Sequence, residues 1–430
     1  MRPCFSSQSF NVDGGKFSLI SPKINLQTAQ AAGSHVPVID APQNATELPI
    51  CAVPRRIVVG ITDSQTCLTL TGRLRALSDA GFQITLVSSP GELVDRIAAT
   101  EGVEAVAIPM RRGIAPLEDL RALVRLWRFL RRLKPELTEF STPKAGLLGN
   151  LAARLAGVPV RVYMLRGLKL ERSTGFKRWV LLTAERVSAG CAHVVLCNSA
   201  SLRAEALALN IAPDAKIHLL GAGSTNGVDV ERFSPGPSNV RATLGLTRDA
   251  LVVGFAGRLT RDKGVPELIE AFDLILKVMP DVQLLFVGWF DAAEDALDDG
   301  LRARIECHPK IHLTGYVEDT APYYRAMDVM VLPTWREGFP NVVLEAAATG
   351  IPVVTTIATG SRDSVVPEVT GLLIPPGYPE AISEAVLKLL RDADRRQRMG
   401  LAARAWVQEH FVDDRVLRLI QAYYTSLIEA

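Results

Sequence analysis

The 430-residue chain lacks the signatures of several large protein classes. Its six cysteines form no C-x-x-C pair and no cluster with histidine, which argues against a zinc site and for a reducing compartment. No apolar run reaches the length of about 18 residues that a membrane-spanning helix needs. The N-terminus also lacks the basic start and long apolar core of a signal peptide. We therefore expect a cytoplasmic protein.

The chain also lacks a large excess of positive or negative charge. The formal net charge is only +2, so there is no general case for nucleic-acid binding. The first predicted strand ends in Gly60-Ile61-Thr62 without the G-x-G-x-x-G of a dinucleotide oxidoreductase. The single Asp-x-Asp, Asp392 to Asp394, lies in a polar, arginine-rich stretch typical of a solvated surface. We expect no metal at the site and no resident cofactor.

What the chain does contain is an alternation of strands and helices, which predicts an α/β fold with two doubly wound, Rossmann-like domains. Residues 1–52, rich in Ser, Gln, Asn, Ala and Pro, are predicted to be a disordered extension. Turn signals crowd between residues 221 and 237 and mark the linker. We predict an N-terminal domain over 53–234, a C-terminal domain over 235–412, and a last helix over 413–430 that returns to the first domain.

The stretch Glu337–Glu345 places two glutamates eight positions apart around a turn and the start of a helix. Gly338 lets the backbone approach a ligand closely, and Pro340 suits the beginning of a helix. The free amides of Asn341, Val342 and Val343 would then point out of the helix N-terminus, where anions bind well. Two glutamates at this spacing also arise by chance, so the pair alone leaves a solvated helix start as the alternative.

The stretch Gly254–Gly264 delivers cations to the end of a buried strand. Arg258 follows the strand and Lys263 lies on the loop that opens the next helix, with Gly257 and Gly264 beside them. Arginine can clamp a diphosphate with two hydrogen bonds, and lysine acts on it as a point charge. The alternative is a surface loop with two solvated cations.

Together the two stretches resemble the E-x7-E and G-R-x4-K-G segments of family-4-type retaining glycosyltransferases, whose two Rossmann-like domains face each other across a cleft (GT-B architecture). The resemblance implies that Arg258 and Lys263 stabilise the departing nucleoside diphosphate in place of a metal. It implies that Glu337 contacts hydroxyls of the donor sugar. These three residues are the predicted catalytic set.

The resemblance also implies a nucleotide-sugar donor. The segment Gly315–Glu318 matches the place where the family seats a uracil ring, which favours a UDP-sugar. An ordinary turn between a strand and a helix is the alternative for this segment. Backbone amides of Gly338 and Phe339 would lie near the sugar, amides of Val342 and Val343 would bind phosphate, and Glu345 would hold the ribose. The predicted donor-binding residues are Gly257, Val317, Gly338, Phe339, Asn341, Val342, Val343 and Glu345.

The N-terminal half departs from the commonest family pattern. A Gly-Gly-rich loop is replaced by Ile61–Cys67, and a His-Gly pair by Arg166-Gly167. The segments Ser141–Gly149 and Arg166–Glu171 resemble a branch that builds capsule, exopolysaccharide or lipid-linked glycans in bacteria. That branch implies a polyprenyl-diphosphate-linked saccharide as acceptor, with Thr62, Lys144 and Arg166 as acceptor or phosphate contacts. A solvated lysine with a buried stem is the alternative for Lys144.

A basic helix bears on location. On the helix predicted over 117–133, four arginines share one face, and Leu123, Leu126, Trp127 and Leu130 supply apolar area. Such a helix can lie on the anionic inner surface of the cytoplasmic membrane. A solvated helix face packed on a core is the alternative. The basic face comprises Arg121, Arg125, Arg128 and Arg132, with Arg111, Arg112, Arg131 and Lys134 nearby.

The predicted function is transfer of a sugar from a UDP-linked donor to a lipid-linked saccharide, with retention of anomeric configuration, in bacterial surface polysaccharide synthesis. Two alternatives share the architecture. A nucleotide-sugar epimerase would use the same two domains. The stretch Glu337–Glu345, here called the glutamate loop, and the stretch Gly254–Gly264, here called the cation loop, disfavour it. A non-catalytic homologue that binds sugar nucleotides is the other.

Overall fold

The computed structural model describes residues 38–39, 55–111, 113, 115–247, 249–291 and 295–430. These residues all belong to one compact unit that begins at Val38. The extension predicted over 1–52 lies outside the described residues, apart from Val38 and Ile39, which form a short strand. Arg112 of the predicted basic region also lies outside them.

The N-terminal domain is an eight-stranded parallel sheet with the order β1-β8-β7-β6-β5-β2-β3-β4. Buried Val, Ile and Leu residues fill the central strands, as expected of a sheet covered on both faces. Its strands are β1 (Val38–Ile39), β2 (Arg55–Gly60), β3 (Phe82–Ser88), β4 (Glu104–Ala107), β5 (Leu137–Ser141), β6 (Val160–Leu165), β7 (Val194–Cys197) and β8 (Ile217–Leu220).

Helices connect these strands and cover both faces of the sheet. The connection between β2 and β3 is divided into a 3-10 segment, Ser64–Leu70, and α1, because Gly72 between them has φ of 77°. The helices are α1 (Arg73–Asp79), α2 (Glu92–Glu101), α3 (Pro116–Leu133), α4 (Pro143–Ala156), α5 (Gly175–Cys191) and α6 (Ala200–Ala208).

The C-terminal domain is a six-stranded parallel sheet with the order β11-β10-β9-β12-β13-β14. Its strands are β9 (Val252–Ala256), β10 (Gln283–Val287), β11 (Ile311–Leu313), β12 (Val329–Leu332), β13 (Val353–Thr356) and β14 (Gly371–Ile374). Its helices are α7 (Val240–Thr243), α8 (Val265–Val278), α9 (Asp299–Cys307), α10 (Ala321–Tyr324), α11 (Asn341–Ala348), α12 (Pro379–Leu390) and α13 (Ala393–His410). The prediction of two doubly wound sheets is confirmed.

The last helix, α14 (Asp413–Glu429), packs on the N-terminal sheet. Its apolar side chains, such as Val416, Ile420 and Tyr424, join the core of β2, β3, β5, β6 and β7. The chain crosses between the domains where the amide of Val228 donates to the carbonyl of Phe411 at 2.8 Å. The C-terminal segment therefore contributes to both cores.

Buried charge ties this helix to the sheet. Arg73 of α1 donates to both carboxylate oxygens of Glu139 in β5, and also to the hydroxyl of Tyr424 at 2.9 Å. Tyr424 donates its own hydroxyl to Glu139. Neither charged side chain is exposed to solvent. Removing one partner of such a pair typically costs about 3–5 kcal/mol, so the three residues act as one structural unit.

A second buried carboxyl, Glu185 of α5, makes the stability of this domain depend on pH. It is 4% exposed and accepts a hydrogen bond of 2.5 Å from the Tyr163 hydroxyl. Burial raises the pKa of Glu185 from 4.5 to about 7, against that hydrogen bond, which lowers it. The folded state therefore binds the proton more tightly than the unfolded state does.

Glu185→Gln tests this effect. Because the folded pKa lies above the unfolded one, the wild type should lose stability as pH rises from 4.5 through about 7. That gap corresponds to roughly 3 kcal/mol. The variant, which cannot ionise, should lack this part of the pH dependence in urea unfolding measured between pH 5 and 8. Identical stability–pH profiles for both proteins would contradict the assignment.

Candidate active site

Two loops of the C-terminal domain lie side by side at the carboxyl ends of adjacent strands β9 and β12. The carbonyl of Asp262 accepts hydrogen bonds from the amide of Trp335 at 2.9 Å and from the Thr334 hydroxyl at 3.1 Å. Gly264 is required here, because a Cβ atom on it would lie 2.0 Å from the carbonyl oxygen of Pro333. The cation loop and the glutamate loop are therefore held together through their backbones.

This pairing brings two of the predicted catalytic residues into contact. The ammonium of Lys263 donates to the carboxylate of Glu337, and both side chains are mostly buried, at 18% and 14% exposure. The amide of Glu337 donates to the carbonyl of Thr359 at 3.0 Å, which fixes the loop from its other side. A cation and a carboxylate thus share one crevice at the carboxyl edge of the sheet.

The third predicted catalytic residue, Arg258, has a partner that the sequence did not indicate. Its guanidinium donates to Asp291, which follows β10 and is 10% exposed, while Arg258 itself remains 37% exposed. Burial would raise the pKa of Asp262, yet Lys263, a hydrogen bond from Thr260, the Arg336 guanidinium at 3.0 Å and the charge of Arg258 together lower it. Asp291 therefore holds the Arg258 guanidinium, although part of this side chain stays exposed to solvent.

The carboxyl ends of β9, β10 and β11 form a neighbouring surface. Gly257 and Gly288 approach so closely that a Cβ on Gly288 would lie 1.8 Å from the Gly257 carbonyl oxygen. Trp289 and Tyr316 pack edge to face with ring centroids 5.4 Å apart, next to Val317. The sequence interpretation missed Trp289, and it included Tyr316 only as part of the segment Gly315–Glu318. Their signal was available, since each aromatic residue directly follows a glycine at a strand end.

The helix predicted after the glutamate loop is α11, which begins at Asn341 with Pro340 as its N-cap residue. The amide of Val343 donates to the carbonyl of Pro340 at 3.1 Å, so in this conformation it is not free to bind a phosphate, contrary to the expectation. The Phe339 ring packs on Phe411 with centroids 5.2 Å apart. Phe339 therefore presents its backbone to the crevice, and Asn341 and Val342 remain the N-terminal positions of the helix.

Glu345, the predicted ribose ligand, lies within α11. It accepts a hydrogen bond of 2.7 Å from the Tyr324 hydroxyl. Burial raises the pKa of Glu345, against the Tyr324 hydrogen bond and the charge of Arg232, which lower it. The hydroxyl of Tyr324 thus engages one of the two carboxylate oxygens of Glu345.

The N-terminal domain closes on the glutamate loop at Gly338. A Cβ on this residue would lie 2.3 Å from the carbonyl oxygen of Arg166 and 2.8 Å from the side-chain nitrogen of Asn198. Similarly, a Cβ on Gly223 would lie 3.2 Å from the Phe339 ring. Any larger residue at position 338 would force the two domains apart, which gives this glycine a structural reason beyond ligand access.

The three residues predicted to contact the acceptor do not share one environment. Lys144 donates to Asp119 of α3 at 2.7 Å and to the carbonyl of Gly113, so its charge is paired within the N-terminal domain. The hydroxyl of Thr62 accepts from the Ala145 amide at 3.0 Å and supports the start of α4. Arg166 shares a small pocket with Thr142, the hydrogen-bond partner of Thr62, and its Nη1 donates to Thr225 at 3.1 Å.

Backbone strain occurs at the same edge of the N-terminal sheet. Thr142, between β5 and α4, has φ of 70° and ψ of 150°, a region that β-branched residues rarely adopt. Its hydroxyl contacts the Thr62 hydroxyl at 2.6 Å and accepts from the Thr62 amide at 3.1 Å. Thr62 thus has the structural task of holding a strained turn.

Among the described residues, no three His, Cys, Asp or Glu side chains are grouped so that they could hold a metal ion. Asp392 of the Asp-x-Asp caps α13 by accepting from the Arg395 amide at 2.8 Å. A groove of about 800 Å³ lies elsewhere in the C-terminal domain, at the amino ends of β9 and β10, lined by residues such as Leu244, Met279 and His312. Its distance from the strands' carboxyl ends separates it from the crevice described above.

The basic helix α3 uses its apolar side internally. Leu126 and Leu130 are buried in a core cluster, and Leu123 and Trp127 pack on it. The arginines at 121, 125, 128 and 132 are exposed. No helix in the described part of the chain has both the length and the apolar character to cross a bilayer.

The two doubly wound sheets with facing loops define the GT-B class of fold. The family described as "Glycosyl transferases group 1" matches residues 250–392, and that described as "Glycosyl transferase 4-like domain" matches residues 70–223. The chain belongs to this glycosyltransferase family, so the resemblance read from the sequence is confirmed, and the protein is a glycosyltransferase.

Individual relatives agree with the family. The capsular polysaccharide biosynthesis glycosyltransferase CapM of Staphylococcus aureus is 33% identical over 370 residues, which cover 86% of this chain and 96% of CapM. The Escherichia coli UDP-Gal:alpha-D-GlcNAc-diphosphoundecaprenol alpha-1,3-galactosyltransferase is 29% identical, covering 74% of this chain and 82% of the enzyme. The Anabaena HepE structure with UDP-glucose superposes with a TM-score of 0.71 at 19% identity, covering 86% and 99% of the two chains, and supports the fold.

Lys263→Met tests the contact that brings the two loops together. Loss of one preorganised cation typically lowers kcat by about 10²–10³-fold. We expect such a loss in the transfer of labelled sugar to lipid-extractable product, with bacterial membranes as acceptor source. The melting temperature should fall as well, because Glu337 loses its partner in a mostly buried pair, but the variant should stay folded at the assay temperature. Arg261→Met is the matched control, because Arg261 lies on the same turn but pairs with the exposed Asp298. Equal activity in the two variants would contradict the assignment.

Proposed function

We propose that this glycosyltransferase moves a sugar from a UDP-linked donor to a hydroxyl of a polyprenyl-diphosphate-linked saccharide, without a metal and with retention of configuration. The observation that carries the proposal is the contact between Lys263 and Glu337, in a crevice that the N-terminal domain closes at Gly338. A diphosphate beside the lysine and a hexose beside the carboxylate would fit that arrangement.

The proposed chemistry rests on charge. As the bond between the anomeric carbon and the diphosphate breaks, negative charge accumulates on the leaving oxygen. Lys263 and Arg258 would stabilise that charge, and the N-terminus of α11 would add a partial positive charge. These groups would take the place of the divalent cation that other sugar-nucleotide enzymes use.

Retention would follow from the direction of attack. The acceptor hydroxyl would approach the face from which the diphosphate departs, form the new bond to the anomeric carbon, and pass its proton to the leaving phosphate oxygen. Glu337 is engaged by Lys263, which suits a carboxylate that grips sugar hydroxyls better than one that attacks carbon. This is the difference from retaining hydrolases, in which a second carboxylate is the nucleophile.

Two relatives and one feature of the structure support the choice of substrates. The name of the E. coli relative gives a UDP-linked donor and an undecaprenyl-diphosphate-linked acceptor. The aromatic pair Trp289 and Tyr316, beside Val317, supplies a surface for a nucleobase at the end of β10 and β11. CapM, by its name, acts in capsular polysaccharide biosynthesis.

A lipid-linked acceptor requires access to a membrane surface. The exposed arginines of α3 supply attraction to anionic lipid. Exposed apolar residues add to it at the start of α5, where Phe176 and Trp179 stack 5.7 Å apart with exposures of 78% and 61%. Leu117, at the start of α3, is 74% exposed. Both helices begin at the carboxyl edge of the sheet, so we propose peripheral contact with the inner surface of the cytoplasmic membrane through this edge.

Calorimetry with UDP, GDP and ADP, each with and without EDTA, tests the donor. We expect UDP to bind best and EDTA to leave its affinity unchanged, because the diphosphate is held by Arg258 and Lys263. Preference for another base would overturn the choice of nucleotide. An absolute requirement for a divalent cation, in binding or transfer, would overturn the metal-independent mechanism.

Flotation with vesicles of anionic and zwitterionic lipid tests the membrane contact. The double variant Phe176→Ser/Trp179→Ser should bind anionic vesicles more weakly than the wild type. Leu155→Ser is the control. Leu155 is 56% exposed, but it lies at the C-terminal end of α4, near the amino edge of the sheet. Equal vesicle binding by all three proteins would exclude this edge as the membrane surface.

A further inference from the structure

Three neighbouring strands of the N-terminal domain end in polar side chains. Ser141 is the last residue of β5, and Arg166 and Asn198 follow β6 and β7 directly. Side chains alternate along a strand, and Leu137, Met164 and Leu196 all belong to the core beneath α1 and α14. On each strand an even number of positions separates the polar residue from the apolar one, so both side chains are on the same face of the sheet. All three polar residues therefore lie on the face that carries this core. We call Ser141, Arg166 and Asn198 the polar edge.

Each member of the polar edge has a buried atom without a hydrogen-bond partner in the described part of the chain. These atoms are Oγ of Ser141, Nε and Nη2 of Arg166, and Oδ1 of Asn198. Buried polar atoms in proteins nearly always have partners, so each exception needs an explanation. Three exceptions on adjacent strand ends, at the edge of a parallel sheet where ligands bind, indicate a set of groups that a ligand completes.

The charge balance beneath the polar edge is uneven. Two buried guanidinium groups, Arg73 and Arg166, lie near a single carboxylate, Glu139. Arg73 and Tyr424 already donate three hydrogen bonds to that carboxylate. Burial and the repulsion of Arg73 lower the pKa of Arg166 to about 10, so it stays charged at neutral pH. No ion pair found among the described residues includes Arg166, so its charge has no bonded counter-ion.

The polar edge adjoins the glutamate loop. The carbonyl oxygen of Arg166 and the side-chain nitrogen of Asn198 both lie against Gly338, one residue from Glu337. A guanidinium binds carboxylates and phosphates through parallel hydrogen bonds. The Ser141 hydroxyl can donate to the same anion, and Oδ1 of Asn198 can accept from a hydroxyl group.

We propose that the polar edge is a subsite for an anionic group of the substrate, a carboxylate or a phosphate, with Arg166 as its counter-ion and Asn198 as acceptor for an adjacent hydroxyl. This proposal rests on the proposed function, because it places the anion beside the transferred sugar. The anion has two possible sources: the carboxylate of a uronic acid on the donor, or the phosphate next to the acceptor saccharide.

Two variants remove the free positive charge in different ways. Arg166→Gln deletes it. Asn198→Asp keeps the size of the side chain and supplies a carboxylate of the protein's own, which should pair with Arg166 and occupy its donors. Arg178→Gln is the matched control, because Arg178 lies nearby on α5 and donates to the Leu170 carbonyl. Melting temperatures show whether each variant is folded. If Arg166→Gln does not fold, Asn198→Asp still tests the proposal.

Calorimetry with UDP, UDP-glucose, UDP-glucuronate and a farnesyl-diphosphate-linked N-acetylglucosamine separates the sources. We expect both variants to bind UDP as the wild type does, and to bind one anionic ligand about tenfold or more weakly. Loss confined to UDP-glucuronate assigns the anion to the donor. Loss confined to the farnesyl compound assigns it to the acceptor.

The proposal is overturned if both folded variants bind every ligand as Arg178→Gln does. Failure of the proposed function looks different, because the wild type itself would then not bind UDP. A general loss of affinity that includes UDP would also overturn the proposal, since it would place Arg166 at the diphosphate shared by all donors.

Discussion

The structure depends on the way the Glu337–Gly338 peptide is held between the two domains. On one side Lys263 contacts the Glu337 carboxylate, and the Asp262 carbonyl accepts a hydrogen bond from the Trp335 amide, two residues before Glu337. On the other side Gly338 lies directly against the Arg166 carbonyl, with no room for a side chain. Lys263 thus fixes the carboxylate, and contacts from both domains fix the backbone that carries it. Such preorganisation is what stabilisation of a developing charge requires.

The buried charges of the N-terminal domain support this arrangement from below. The unit formed by Arg73, Glu139 and Tyr424 joins α1, β5 and α14, and α14 is the helix that returns from the C-terminal domain. Arg166 lies above this unit, and no ion pair among the residues that the structure describes includes it. Where the commonest family pattern has a histidine, this chain therefore carries a cation whose environment suits an anionic substrate.

The sequence predicted the parts of the fold that have a local signal. Apolar strands such as β2, β9 and β12 stand out because they are buried on both faces, and the two motif loops carry their glycines and proline in order. Strand β5 carries no such signal, because Thr138, Glu139 and Ser141 interrupt its apolar pattern. Glu139 is tolerated there only because Arg73, 66 residues earlier in the chain, neutralises it, and no local pattern shows such a pairing.

The same distinction applies to the candidate site. The residue types at Lys263 and Glu337 were readable, and resemblance to a family indicated that they belong together although 74 positions separate them. The partner of Arg258, the hydrogen bond of the Val343 amide and the pairing of Lys144 with Asp119 depend on three-dimensional geometry. The apolar side of α3 was apparent in the sequence, but whether it faces a core or a membrane was not, because both environments select the same pattern.

A structure of the protein with UDP-glucose bound is the most direct test of the central claim. The account predicts the diphosphate between Arg258 and Lys263, the uracil near Val317, and the glucose hydroxyls on the carboxylate of Glu337. Nucleotide bound away from these loops, for example in the groove at Leu244 and Met279, or glucose directed away from Glu337, would contradict it.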